Sequence, residues 1–337
     1  MNTPTITAII LAAGKGTRMK SNKAKVLHEL FFKPMLHHVL DSVEEAGIEK
    51  TAIIVGHQRK RVLATLTPYN FIPVVQEEQL GTGHAVLCAE NACSNAKQVM
   101  ILCGDTPLIR PATLQAMIHQ HQDKAALLTL MTTQLENPFG YGRILSDKNG
   151  YITKIVEHKD ATATEKKITE INAGIYLVDA AFLFSSLKLV GTDNSQKEVY
   201  LTDIIAIAEK QGHKAHKFKH KTAIDVLGVN SRVELATAHR ELQIRHNQEV
   251  MLSGVTMYSP ETILLSPNSS IGRDSVIEPG VQVLNKTTLG QETHLASGVI
   301  LDNCSLGSGC SIGANSVLRN CSLQDNAVLP PLTYLKG

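Results

Sequence analysis

The sequence predicts an α/β domain followed by a parallel β-helix. Three observations carry this: apolar strands alternate with helical periodicity up to about residue 230, a long charged helical segment follows, and from residue 271 aliphatic residues recur about every six positions. A chain of 337 residues has room for about two domains of ~150 residues each. Its composition, 43% hydrophobic and 19% charged with net charge +2, is that of a soluble globular protein. No basic block or basic amphipathic helix accompanies that near balance, so neither nucleic acid nor membrane insertion is expected, and anion binding should be local. The start, MNTPTITAIILAAGKG, has no basic leader, and its apolar run is short and closed by glycine, which points to a cytoplasmic chain. The six cysteines (Cys88, Cys93, Cys103, Cys304, Cys310, Cys321) form no C-x-x-C pair and read as reduced thiols.

In the first part, TAIIL, TAIIVG, PVVQ, QVMILCG and ALLTLMT are the strands, set among helical segments such as 34–46 and 111–121. This alternation predicts a mainly parallel sheet covered by helices, with ligands beyond the carboxyl ends of its strands. Segment 231–254 has no proline or internal glycine before Gly254 and reads as one connecting helix. After it, Ile271, Ile277, Val283, Leu289, Leu295, Leu301, Leu306, Ile312, Leu318 and Leu323 advance in steps of six, with two steps of five. Small residues stand four places later in most units, among them Ser275, Val281, Thr287, Thr293 and Val299. One large and one small inward position per hexapeptide suits the flat face of a β-helix of roughly three coils. The expected domains are 1–230, 231–254 and 255–337.

Chemistry-bearing residues sit where strands end. After the first strand, Gly14 and Gly16 allow positive φ and close approach of backbone N–H groups to an anion, and Thr17, Arg18 and Lys25 follow. The loop is a candidate polyphosphate cradle, with Arg18 as a bidentate fork and Lys25 as a point charge. It is neither a Walker A loop nor G-x-G-x-x-G, because Met19 occupies the third glycine position. In VVQEEQLGTGHA, Gln76 offers the donor and acceptor that reading a nucleobase edge requires. Gly81-Thr82-Gly83 makes a turn there, Thr82 can cap the next helix, and His84 reads as an ordinary first-turn residue. In QVMILCGDTPLI, Asp105 ends an apolar strand, where a carboxylate needs a cation or hydrogen-bond donors; it is the best metal-ligand candidate, with a turn-capping Asp as the plainer reading. Gly140, Gly142, Arg143, Glu157, Asn172, Thr202 and Asn230 lie beside later apolar runs.

Together LAAGKGTRM, KVLHEL, QLGTGHA, GDTPLI, GYGRI, IVEHKDAT, EINAGIY, YLTDIIA and GVNSR, in this order over residues 5 to about 255, resemble the GlmU family, the N-acetylglucosamine-1-phosphate uridylyltransferases. The resemblance implies a Rossmann-like nucleotidyltransferase domain with a mainly parallel mixed sheet, a connecting helix, a short left-handed β-helix and a homotrimer formed through it. It places Leu11, Ala12, Ala13 and Gly14 along the base and phosphates of UTP, and Gln76, Gly81 and Thr82 on the uracil. Gly140, Glu157, Asn172 and Thr202 would bind the sugar 1-phosphate, Asp105 and Asn230 would hold Mg²⁺, and Arg18 and Lys25 would be the catalytic phosphate-binding cations. Three positions depart from the family's usual residues: Ala24 for proline, Phe32 for glycine, and Cys103 for a bulkier side chain. Bifunctional members have a much longer β-helix that supplies acetyl transfer, so the expectation for this chain is uridylyl transfer alone. A different sugar phosphate or NTP, a catalytically idle trimeric subunit, and a hexapeptide acyltransferase using His294 are the other readings.

Overall fold

β1 (Ile6–Ala12) is apolar without alternation because both its faces are covered, and Ala8, Ile9 and Ile10 have no solvent exposure. The structure, a computed structural model, describes residues 5–337; residues 1–4, the start of the segment read above as lacking a basic leader, lie outside the described residues. After β1 come a short hairpin, β2 (Glu29–Leu30) and β3 (Lys33–Pro34), then α1 (Met35–Glu45), β4 (Lys50–Val55), α2 (Arg59–Ala64), β5 (Ile72–Val75), α3 (Thr82–Cys88) and β6 (Gln98–Cys103). The chain continues with α4 (Pro111–Asp123), β7 (Leu128–Gln134), β8 (Arg143–Ser146), β9 (Ile152–Val156), β10 (Glu170–Asp179), α5 (Ala180–Leu187), α6 (Ile204–Lys210) and β11 (Ala215–Lys219).

These strands form a nine-stranded sheet in the order β5-β4-β1-β6-β10-β7-β11-β9-β8. Successive residues of β1 serve opposite faces: Ile9 packs with Ile54 and Ile101, Ile10 with Ile53 and Met100. The sheet is mixed as expected, but it is not mainly parallel. Pairing is parallel through β5-β4-β1-β6 and between β7 and β11, but β10 runs antiparallel to β6, β7 and β8, and β9 antiparallel to β8 and β11. The physical cause is the insertion of β10 between β6 and β7, which their own apolar runs do not announce. Residues up to Glu29 together with Lys33–Arg232 form one compact unit; Leu30–Phe32 together with Val233–Gly337 form the other.

In the second unit, α7 (Arg232–Leu252) ends before Gly254, whose φ of +103° only glycine adopts readily. Beyond it, short parallel strands stack into three sheets of five, five and four strands. Stacked partners are 17 or 18 residues apart, as in Cys304 N–H to Thr287 Oγ1 and Thr293 N–H to Ser275 Oγ. Most of the expected inward residues are inside: Ile277, Val283, Leu295, Leu301, Ile312 and Leu318 have no exposure, and neither have Ser275, Val281, Thr287 and Val299, while Ile271 and Leu323, at the two ends of the series, are only partly buried. The stack has more rungs than the three coils expected. Leu264–Leu265 extends the six-residue register one step back from Ile271, and the first rung, Thr256–Met257, falls outside it because the turn Pro260–Thr262 sets Leu265 eight positions after Met257. Among the described residues no helix is long and apolar enough to cross a membrane.

Candidate active site

β1 delivers the chain to a loop whose first turn is set by Gly16, left-handed at φ +62° and preceding the single turn Thr17–Met19. A Cβ on Gly16 would stand 2.5 Å from Cβ of Lys25, so this glycine is what admits the lysine. Gly14 was expected to share the positive φ, but the left-handed conformation falls on Gly16 and not on Gly14, whose absent Cβ would meet nothing within 4 Å among the described residues.

The cations then converge with the strand-end carboxylate. Lys25 Nζ is ion-paired with Asp105 Oδ2 and donates to Asn230 Oδ1 at 2.6 Å, and Arg18 Nη2 donates to the same oxygen at 2.8 Å. Asp105 follows β6, where Gly104 N–H donates to Leu11 O at 3.0 Å and ties the turn to the end of β1. Val229 N–H donates to Asp105 O at 2.8 Å, and a Cβ on Gly228 would lie 3.4 Å from both carboxylate oxygens. Gly228 therefore lets the segment carrying Asn230 close over Asp105. Two oxygens, Asp105 Oδ2 and Asn230 Oδ1, thus meet one ammonium, a stand-in for a cation. That donor set suits a hard divalent ion, which takes few protein oxygens and completes its shell with phosphate and water.

Beside this cluster lies a cavity of about 250 Å³. Leu11, Ala12, Ala13, Gly14, Lys25, Gln76, Gly81, Thr82 and Asp105 line it, together with Val26, Gln79, Ala85, Cys103 and Glu198. Glu198 was missed: nothing local marks it, and it arrives because a Cβ on Gly81 (φ +111°) would stand 2.5 Å from Val199 O and 2.9 Å from Glu198 Cβ. Backbone bonds Gly83 N–H to Val199 O and Val199 N–H to Leu80 O, both 2.8 Å, secure that approach. Thr82 does not cap α3 with its side chain; Gly81 is the N-cap, and Thr82 Oγ1 accepts from Leu201 N–H at 3.2 Å. Gln76 is 4% exposed, and its Nε2 is 3.1 Å from both Gly81 O and His84 Nδ1. Burial pushes the Cys103 thiol up to about 12, with Asp105 adding to the shift.

The remaining predicted residues form a second group along β10. Gly140 is left-handed at φ +84°, and a Cβ there would lie 4.0 Å from Arg18 Nη1. Thr202 Oγ1 donates to Glu157 Oε1 at 3.4 Å; burial raises the Glu157 carboxyl above its usual range, against that hydrogen bond. A Cβ on Gly142 would be 3.6 Å from both Glu157 Oε1 and Asn172 Cβ, so Gly142 brings these two side by side. Asn172 sits at a register shift in β10, donating to Tyr176 Oη at 2.8 Å and accepting from Gly174 N–H at 2.7 Å. Cys103 Sγ lies 3.9 Å from Gly174 O and joins this group to the cavity. Arg143, 1% exposed, holds the adjoining loop through Tyr141 O and through His158 Nδ1 at 3.3 Å.

Residues 8–160, which carry the glycine loop, Lys25, Gln76, Asp105 and Glu157, match the MobA-like NTP transferase domain. The bifunctional protein GlmU of Desulfotalea psychrophila is 51% identical over 299 residues, 88% of each chain. The chain belongs to the GlmU family. It is similar also to the GlmU proteins of Geotalea daltonii, 44% identical over 98% of this chain and 73% of that one, and Halalkalibacterium halodurans, 44% identical over 89% and 66%. Membership in the GlmU family and the NTP transferase match make the chain a nucleotidyltransferase enzyme.

Proposed function

We propose that the chain transfers uridylate from UTP to N-acetyl-α-D-glucosamine 1-phosphate, giving UDP-N-acetylglucosamine and pyrophosphate. The observation that carries the proposal is the meeting of Arg18, Lys25, Asp105 and Asn230 beside a cavity whose wall holds Gln76 and Gly81. Gln76, Gly81 and Thr82 would take the uracil; Leu11, Ala12, Ala13 and Gly14 would follow the base and phosphates. Gly140, Glu157, Asn172 and Thr202 would take the sugar, with the Glu157 carboxylate accepting its hydroxyls.

A sugar-phosphate oxygen is anionic at neutral pH, so the attack needs no general base, and a thiol held up near 12 makes Cys103 no nucleophile. What remains is to bring two polyanions into line. Asp105 and Asn230 would hold Mg²⁺, which would supply charge neutralisation for the phosphates. Arg18 and Lys25 would stabilise the charge that gathers on departing pyrophosphate, from fixed positions that cost no reorganisation during reaction.

We assign this chemistry to residues 1–230 and, to residues 255–337, a left-handed β-helix that associates as a trimer, with 231–254 as the connecting helix, all in the cytoplasm. Acetyl transfer is not assigned to the stack. His294, its single histidine, bonds Glu278 Oε1 at 2.9 Å, and Glu278 also accepts from Ser297. Pyrophosphate release across a panel of NTPs and sugar 1-phosphates, with a parallel acetyl-CoA thiol assay, tests this reading. The expected result is Mg²⁺-dependent turnover highest for UTP with N-acetylglucosamine 1-phosphate, and no thiol release. Calorimetry showing no Mg²⁺-dependent binding of UTP would overturn it.

A further inference from the structure

Gln76 follows β5 with its backbone N–H on Val55 O at 2.9 Å, so its side chain starts from a fixed point. Its amide nitrogen has two hydrogens and two neighbours at 3.1 Å, Gly81 O and His84 Nδ1. A carbonyl oxygen only accepts, so the atom facing Gly81 O must be the NH₂ group, and the second hydrogen then points at His84. His84 Nδ1 must therefore be an acceptor, which places the imidazole hydrogen on Nε2, where Cys88 Sγ lies 3.8 Å away. With both hydrogens engaged, Oε1 is the polar side-chain atom of Gln76 left to serve the cavity that the residue lines.

We infer that His84 is a positioning residue for base recognition: its Nδ1 lone pair fixes the Gln76 amide with Oε1 toward the cavity, so that the site selects a base carrying N–H at that edge, uracil over cytosine. The inference rests on the proposed uridylyl transfer and extends it to how the base is chosen. Rotating the amide would set Oε1 against two acceptors, Gly81 O and His84 Nδ1. Cytosine bears a lone pair at N3 where uracil bears a hydrogen, so a fixed Oε1 meets one acceptor with another and leaves a buried group unpaired. Removing the Nδ1 lone pair removes one of the two barriers to rotation. The rotated amide offers N–H to the base, which weakens uracil and admits cytosine.

The test compares kcat/KM for UTP and CTP, with N-acetylglucosamine 1-phosphate and Mg²⁺, in the full chain and in two variants. His84→Phe keeps the ring without a lone pair, and His84→Asn puts an acceptor oxygen near the place of Nδ1. The expected result is a UTP-to-CTP ratio at least ~10-fold smaller in His84→Phe, mainly through KM for UTP, and restored to within ~3-fold in His84→Asn, the scale of one hydrogen bond. Should His84→Phe not fold, His84→Leu takes its place and the same ratio decides. A wild-type enzyme without preference for UTP refutes the base-pocket reading itself. A wild-type preference that survives unchanged in the variants lacking Nδ1 refutes the role of His84 and leaves that reading standing.

Discussion

Lys25 and Asp105 hold each other inside the site with side chains only 14% and 18% exposed, so their charges act through little screening solvent. Lys25→Ala or Asp105→Ala is expected to lower kcat at least ~100-fold, the order seen when one preorganised charge-stabilising group is lost; steady-state pyrophosphate release measures it, and near-normal turnover in both variants would remove these assignments. Gly16→Ala is the backbone counterpart. Its Cβ would come within 2.5 Å of Lys25 Cβ at φ +62°, so we expect a stability loss of about 1–3 kcal/mol in urea denaturation, together with reduced turnover. Both cations were legible in the sequence because they follow a glycine loop at a strand end. Glu198 and Gly228 were not, since each acts through contacts made by distant chain; Asn230, which meets Lys25 across 205 positions, was named only through the family resemblance.

Between α4 and β7, His121 is 1% exposed, its Nδ1 lies 2.8 Å from Thr129 Oγ1, and its Nε2 is buried without a hydrogen-bond partner. A proton on that nitrogen would have nowhere to donate, and burial first, then His216, lowers the imidazole to about 4 from 6.5. Between these values the unfolded chain binds a proton that the folded chain refuses, so stability rises with pH. The contribution is full above 6.5 and is lost as pH falls toward 4, by up to about 3 kcal/mol. Urea midpoints taken from pH 7 to 4 should fall in the wild type and fall less in His121→Gln. The elements themselves were largely readable, α1 and α4 by periodicity and β1, β4 and β6 by unbroken apolar runs. The direction of β10 was not, because a strand buried on both faces has the same composition whichever way it runs.

The hydrophobic interior is divided: two clusters flank the nine-stranded sheet, and a third fills the stacked coils with residues from Val255 to Leu318. Calorimetry should therefore resolve two unfolding transitions. Leu301→Ala, which empties a position with no exposure, should lower only one of them, by about 2–5 kcal/mol; a single transition that moves as a whole would contradict this. The repeating interior was visible in the sequence from Ile271 on; Leu265, one period earlier, was missed, and Met257 was hidden because the turn at Pro260–Thr262 breaks the spacing.

The pairing of Lys25 with Asp105 also bears on how the protein can be handled. A carboxylate already matched by an amine from its own chain does not depend on a metal to settle into place. Dialysis against a chelator, without nucleotide, should move the melting temperature by no more than about 1 °C, because the Lys25 ammonium takes up the Asp105 carboxylate that a departing ion leaves and keeps the native-only contribution of the ion small. The pocket is then built by the chain's own charges before anything is loaded into it.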